Sequence, residues 1–175
     1  MTSIADIQKD LPGWPDEVVE EWLHFYANDI GWPPPEPLGG RWNDILGSRP
    51  LSWWNNVTWK KETVTCWPEK LSSKSRAIVN STIKEVAKAP AEDETRKRVK
   101  RAMDYILDNG AFPNAMAAMR VPTGLQFVDG NHRMSAFCGV QKMPDAAFER
   151  LKKTRPSLEQ EVWIGTHASG EVPLT

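Results

Sequence analysis

The 175-residue sequence contains few of the residues that build disulfide frameworks or metal sites, with two cysteines and three histidines. Cys66 and Cys138 lie far apart, so the pair is typical of neither a disulfide framework nor a zinc knuckle. Two isolated thiols are typical of buried cysteines in a reducing compartment. We therefore expect a cytoplasmic protein.

The sequence also lacks long apolar runs and an excess of charge. No stretch approaches the roughly 18 to 20 consecutive apolar residues that span a bilayer, so no membrane contact is expected. Residues 1–11 have neither the basic start nor the apolar centre of a secretory signal. The formal net charge is −1, so binding to a nucleic acid would require a local basic patch.

Tryptophan and proline are abundant instead, with nine and fourteen residues. Seven tryptophans fall within the first 59 residues, namely Trp14, Trp22, Trp32, Trp42, Trp53, Trp54 and Trp59. Residues 1–55 contain too few aliphatic side chains for a core of their own. We expect them to form a Trp/Pro-rich N-terminal extension that packs on a single main domain over residues 56–175.

The hydrophobic pattern predicts a mixed α+β fold. Apolar spacing, turn residues and proline positions predict the following elements: a helix over 16–28, a strand or hairpin over 57–67, helices over 70–89 and 92–109, a hairpin over 113–128, a turn over 129–133, helices over 134–139 and 144–153, and a strand over 161–166. The polar tail after His167 is expected to be loose.

A polar segment, Asp129-Gly130-Asn131-His132-Arg133, connects an apolar strand to an apolar helix. Glycine permits a sharp turn and close approach of a ligand, and the first amides of a helix attract anions. Arg133 can grip phosphate oxygens with a bidentate fork, and His132 can donate to phosphate or move a proton. Asp129 can bind Mg²⁺ or orient the histidine. The alternative is an ordinary turn that caps the helix.

The segment from Leu125 to Phe137, LQFVDGNHRMSAF, resembles the signature turn of the ParB/sulfiredoxin superfamily. In that pattern a strand is followed by Asp-Gly or Gly-Gly, a variable residue, His-Arg or Arg-Arg, and a helix containing alanine. The resemblance implies a ParB/sulfiredoxin-like fold, a small mixed sheet flanked by helices, whose turn binds nucleotide phosphates. It implies that Gly130 and Asn131 supply close backbone, that His132 and Arg133 hold phosphate oxygens, and that the ligand is ATP or another nucleotide, with Mg²⁺.

The sequence departs from several members of this superfamily. Sulfiredoxins have a catalytic cysteine at the variable position, which is Asn131 here, so sulfinic-acid repair is not expected. The stretch after Phe137 is too short for the helix-turn-helix region of a partition protein. Free-serine kinases of this fold use a separate glutamate as base, for which Glu62 and Glu69 are both candidates. The remaining relatives are stand-alone ParB-like ATPases or nucleases and the plasmid fertility-inhibition factors that block conjugative transfer.

Two further groups of cations are candidate ligands for phosphate. By resemblance to sulfiredoxin-like proteins, Lys74 would help hold the nucleotide. Arg96, Arg98 and Arg101 belong to a run of five positive charges in six residues, which is typical of contacts with a DNA backbone. The alternative for both groups is a solvated helix face.

Three functions therefore remain open from the sequence. The first is an enzyme that hydrolyses ATP or cleaves DNA with Mg²⁺, with Asp129, His132 and Arg133 at its catalytic turn and a small-molecule kinase as a variant. The second is a non-catalytic inhibitor that binds a protein partner through its Trp-rich N-terminal region. The third is a DNA-binding module that uses the basic helix.

Overall fold

The computed structural model describes residues 1–174 and contains one four-stranded mixed sheet. Its strands are β1 (Val57–Thr65), β2 (Ala117–Val121), β3 (Gly124–Asp129) and β4 (Glu159–His167), in the order β1-β4-β2-β3. The β1–β4 and β2–β3 pairs are antiparallel, and β2 runs parallel to β4. Helices flank the sheet, which confirms the predicted mixed α+β class.

The N-terminal layer, residues 1–55, consists of short helices. They are α1 (Ile4–Asp10), α2 (Asp16–Val18), a π-helical turn (Val19–His24), α3 (Phe25–Ile30), α4 (Arg41–Ile45) and α5 (Leu51–Trp54). Helix α1 begins at a capping box, in which the Ser3 hydroxyl accepts from the Asp6 amide and the Asp6 carboxylate accepts from the Ser3 amide.

Over the residues that the structure describes, the other face of the sheet carries four helices, three of which are longer than any in the N-terminal layer. They are α6 (Ser73–Lys88), α7 (Glu94–Asn109), α8 (Asn131–Gln141) and α9 (Asp145–Leu151), and a 3-10 turn (Pro68–Lys70) precedes α6. Asp93 caps α7 by accepting from the Arg96 amide at 2.8 Å. Gly110 ends the helix in a left-handed conformation, as the sequence pattern indicates.

Both faces of the sheet are buried, which follows from the alternation of side chains along each strand. Val57 and Trp59 of β1 pack in the core under the N-terminal layer, whereas Val64 packs in the core under α6–α8. Trp54 is fully buried, and its indole NH donates to the Leu46 carbonyl at 2.9 Å. The tryptophans of the first 59 residues thus serve mainly as core for one face of the sheet.

Two local predictions are wrong. Helix α8 begins at Asn131 and runs through Gly139 to Gln141, whereas the sequence pattern predicts a helix over 134–139. The tail is also not loose, because the Arg49 guanidinium donates to the Val172 carbonyl at 3.0 and 3.2 Å. The Leu174 amide donates to the Gly47 carbonyl at 2.9 Å, so the tail packs on the N-terminal layer. Within residues 1–174, no helix has both the length and the apolarity needed to cross a membrane.

Candidate functional site

The strand β3 enters helix α8 through a single glycine. Gly130 has φ +101°, and a Cβ atom placed there would lie 2.7 Å from the Sδ atom of Met116. Glycine is therefore required both by the backbone conformation and by the lack of space. Because Gly130 is the N-cap and has no side chain, it cannot accept from the amides of the first helical turn, residues 131–133. These amides lie at the positive end of the helix dipole and are a candidate anion site.

The first turn of α8 opens into a cleft of about 810 Å³. Three parts of the chain form its walls: the end of β3 with the start of α8, the outer side of α7, and the segment of the N-terminal layer around α3. Their main lining residues are Val128, Asp129, Gly130, Asn131, His132 and Arg133, then Arg98, Arg101 and Tyr105, then Glu21, Trp22, Phe25 and Tyr26. A cleft of this volume accommodates a nucleotide-sized ligand.

Arg133 is held by protein groups. Its Nη2 atom pairs with the Asp129 carboxylate, and its Nη1 atom donates to the Ala115 carbonyl at 2.9 Å. The same Nη1 atom lies 3.4 Å from the Glu21 carboxylate. The side chain is 15% exposed. Arg133 therefore joins β3, α8 and the N-terminal layer, and its fork is already occupied by acceptors.

The Asp129 carboxylate lies beside this guanidinium and is 23% exposed. Burial raises the pKa of Asp129 to about 6, with a smaller contribution from the Glu21 carboxylate, and Arg133 opposes the shift. Because the carboxylate pairs with Arg133, it orients the arginine and not His132. Among residues 1–174, no cluster of three or more His, Cys, Asp and Glu side chains has the placement of a metal site.

The His132 imidazole lies in the cleft at the mouth of α8 and is partly buried. Burial is the main cause that lowers its pKa below the ordinary value of 6.5, and the nearby Arg98 guanidinium lowers it further. The imidazole is therefore neutral at neutral pH, and one of its ring nitrogens is a proton acceptor.

The structure separates the other predicted cations. Arg98 and Arg101 line the cleft opposite α8, whereas Arg96 donates to the Ala89 carbonyl beyond the end of α6. Lys74 lies in an adjoining cavity of about 260 Å³, which also includes Asn131. Of the three arginines predicted to bind DNA, Arg98 and Arg101 therefore line the cleft at the first turn of α8, whereas Arg96 does not.

Neither glutamate proposed as a base lines the cleft. Glu62 pairs with Arg120 on the sheet, and Glu69 lies in the 3-10 turn before α6. Asn131 donates from Nδ2 to the Phe127 carbonyl at 3.4 Å. Its buried Oδ1 atom has no hydrogen-bond partner within the described chain, so this amide carries an unused acceptor beside the anion site.

Several lining residues escape sequence reasoning because they come from distant segments. Glu21, Phe25 and Tyr105 give no motif in the sequence. The sequence signal is that Phe25 and Tyr105 fall outside the apolar stripes of their helices. In the structure both rings are exposed, and large exposed apolar groups mark interaction sites. By contrast, most of the N-terminal tryptophans are buried: Trp14, Trp22, Trp42, Trp53, Trp54 and Trp59.

Comparison of the chain with protein-family models, with curated proteins and with solved structures finds no match.

Proposed function

We propose that this protein binds a nucleotide in the cleft at the start of α8 and acts on its phosphates. One observation carries the proposal: the first turn of α8, which has no side-chain cap, lines the same cleft as Arg98 and Arg101. Helix amides and arginines together favour a multiply charged anion. A cleft of about 810 Å³ has room for the whole nucleotide.

The residues divide into two roles. Arg98 and Arg101 neutralise the phosphates from the side of α7, while the amides of residues 131–133 donate to phosphate oxygens. Arg133 is a positioning residue, because its contacts with Asp129, Glu21 and Ala115 fix the turn. Lys74 lines the adjoining cavity together with Asn131, so it would meet a ligand that extends into that cavity.

A ParB/sulfiredoxin-like fold is part of the proposal. Its support is the element order strand, helix, helix, hairpin, glycine turn, helix, helix and strand, together with the segment LQFVDGNHRMSAF at the turn. The N-terminal layer is an addition to that arrangement, and it supplies one wall of the cleft.

The chemistry that best suits the site is phosphate hydrolysis. The neutral His132 ring would take a proton from water as the water oxygen attacks the terminal phosphorus of ATP. The bond from that phosphorus to the bridging oxygen breaks, and ADP leaves with the electron pair. Mg²⁺ would enter with the phosphates, and Asp129 and Glu21 are the nearest carboxylates at the turn. Hydrolysis of a DNA phosphodiester is the alternative reaction for the same groups.

Calorimetric titration with ATP, with and without Mg²⁺, tests the binding step. We expect Arg98→Ala and Arg101→Ala each to weaken ATP binding by about 10- to 150-fold, since a hydrogen bond to a charged group contributes about 1.5–3 kcal/mol. Lys100→Ala is the matched control, because Lys100 is a cation of the same helix that pairs with Asp104. Equal affinity of all four proteins, or no binding by the wild type, would contradict the proposal.

A further inference from the structure

We propose that Phe25 and Tyr105 form a base subsite, which makes the cleft selective for a ligand with an aromatic ring joined to its phosphates. This inference rests on the proposed function, since it assigns the part of the cleft that the phosphates leave free. It concerns a nucleoside phosphate, as opposed to inorganic polyphosphate or an aliphatic phosphate ester.

The distribution of exposed aromatic residues supports the assignment. Six large hydrophobic side chains are exposed in the described part of the chain: Met1, Phe25, Tyr105, Leu151, Leu158 and Leu174. Two of these are aromatic, Phe25 at 66% and Tyr105 at 41% exposure, and both line the cleft at α8. Other large aromatic residues are at least partly buried, so exposed rings are concentrated where a planar ligand group would lie.

The Phe25 ring is held from one side. The Tyr26 ring packs edge-on against it, with centroids 5.4 Å apart at 77°. Tyr26 is itself fixed by the Arg41 guanidinium, 5.8 Å from its centroid, and by Trp42 at 6.5 Å. The preceding π-helical turn, Val19–His24, is a conformation that is frequent at functional sites. Phe25 is thus an exposed ring on an anchored segment.

Each of the two outer walls combines charged and aromatic residues at helical spacing. Arg101 and Tyr105 are four residues apart on α7, so they lie on one face of that helix. On the other wall the Glu21 carboxylate is paired with Arg133, and Phe25 follows the π-helical turn. A ligand that spans the cleft therefore needs an anionic part beside Arg101 and a planar apolar part beside Tyr105 and Phe25. A nucleotide meets this requirement, because bases stack on aromatic rings irrespective of their sequence.

The test compares ATP with inorganic tripolyphosphate by calorimetry on the full chain. We expect Phe25→Ala and Tyr105→Ala each to weaken ATP binding by about tenfold, in the range found for loss of one base-stacking contact. Tripolyphosphate affinity should stay within about twofold, because that ligand has no ring to stack. Phe25→Trp and Tyr105→Phe should retain ATP affinity, and Leu151→Ala is the control for loss of an exposed apolar side chain.

The possible results separate this inference from the proposed function. Equal weakening of both ligands in the alanine variants would overturn the base subsite and indicate a structural role. Binding of tripolyphosphate without ATP would overturn it while leaving an anion site at α8. Binding of neither ligand by the wild type would overturn the proposed function and the base subsite together. If an alanine variant does not fold, retained ATP affinity after Phe25→Leu, which removes the ring and keeps an apolar side chain, would equally overturn the subsite.

Discussion

The carboxylate of Asp129, the last residue of β3, pairs with the guanidinium of Arg133 in the first turn of α8. The two residues are four positions apart, on either side of the left-handed Gly130. Glu21 approaches the same guanidinium from the N-terminal layer at 3.4 Å. The resemblance implies that Arg133 binds phosphate. In the structure its guanidinium contacts Asp129, Glu21 and the Ala115 carbonyl instead. Under the proposed function, the phosphates would therefore contact the helix amides and two arginines of α7.

The free energy of unfolding is expected to depend on pH through Asp129, because burial raises the pKa of this carboxyl more than its pairing with Arg133 lowers it. The pKa of Asp129 is raised from 3.8 to about 6, so the folded protein keeps this proton where the unfolded chain has lost it. The stabilisation from Asp129 is therefore complete below about pH 4 and is lost as pH rises to about 6. We expect the free energy of unfolding of the wild type, minus that of Asp129→Asn, to decrease over this range in urea titrations. An increase would mean that pairing with Arg133 outweighs burial.

Gly130 is expected to be the least replaceable glycine that the structure describes at a helix end. Gly130→Ala forces a Cβ into the left-handed region and against Met116, at 2.7 Å from Sδ. Gly110→Ala is the control, because Gly110 is also left-handed but nothing lies within 4 Å of the point that its Cβ would occupy. Overpacking should make Gly130→Ala less stable than Gly110→Ala by about 1–3 kcal/mol. Equal losses in chemical denaturation would show that Met116 moves aside without cost.

Titration of His132 is expected to make the rate of nucleotide hydrolysis fall at acidic pH. Because burial lowers the pKa of His132 below 6.5, kcat/KM should rise with pH through that lowered pKa and level off before pH 7. His132→Gln should lower kcat by about 10²–10⁴-fold and remove this fall at acidic pH. His24→Gln is the control, since His24 contacts the Thr2 carbonyl in the N-terminal layer. An unchanged pH profile in His132→Gln would exclude the ring as the base. A parallel assay of DNA cleavage would show whether the substrate is ATP or a DNA phosphodiester.

The N-terminal layer is expected to unfold together with the sheet. Trp54 is fully buried against other tryptophans, so Trp54→Ala should cost about 3–5 kcal/mol. Trp32→Ala, at a partly exposed position, should cost less. Near-UV and far-UV circular dichroism should report one coincident transition in urea. A near-UV transition at lower urea would mean that the layer unfolds separately from the sheet.

Local patterns predict much of this fold. Helices α6 and α7, the hairpin β2–β3 and the stop at Gly110 all follow from signals within a few residues. The start of α8 does not, because a polar segment after glycine has the same composition in a loop and in a first helical turn. A glycine in this position is compatible with a loop and with the N-cap of a helix, and the sequence alone does not show that α8 begins directly after Gly130.

The partners of the site residues are harder to predict, because they depend on contacts between distant segments. Arg133 meets Ala115 across 18 residues and Glu21 across 112 residues. The tail contact of Val172 with Arg49 spans 123 residues. Such pairings depend on how the N-terminal layer packs on the sheet. The spacing of apolar residues along the sequence does not predict which residues of the two parts come into contact. The sequence accordingly predicts the turn as the candidate site, but it does not predict that Glu21 and Ala115 contact Arg133.

The crowded indoles under the N-terminal layer have an optical consequence. Trp14, Trp22, Trp54 and Trp59 have ring centroids between 5.0 and 6.3 Å apart in five pairs. Rings this close exchange excitation energy, so we expect ultraviolet emission from these four tryptophans to be a collective signal with low anisotropy. Because Trp22 also lines the cleft, a quencher bound beside it would dim the whole group, not one emitter.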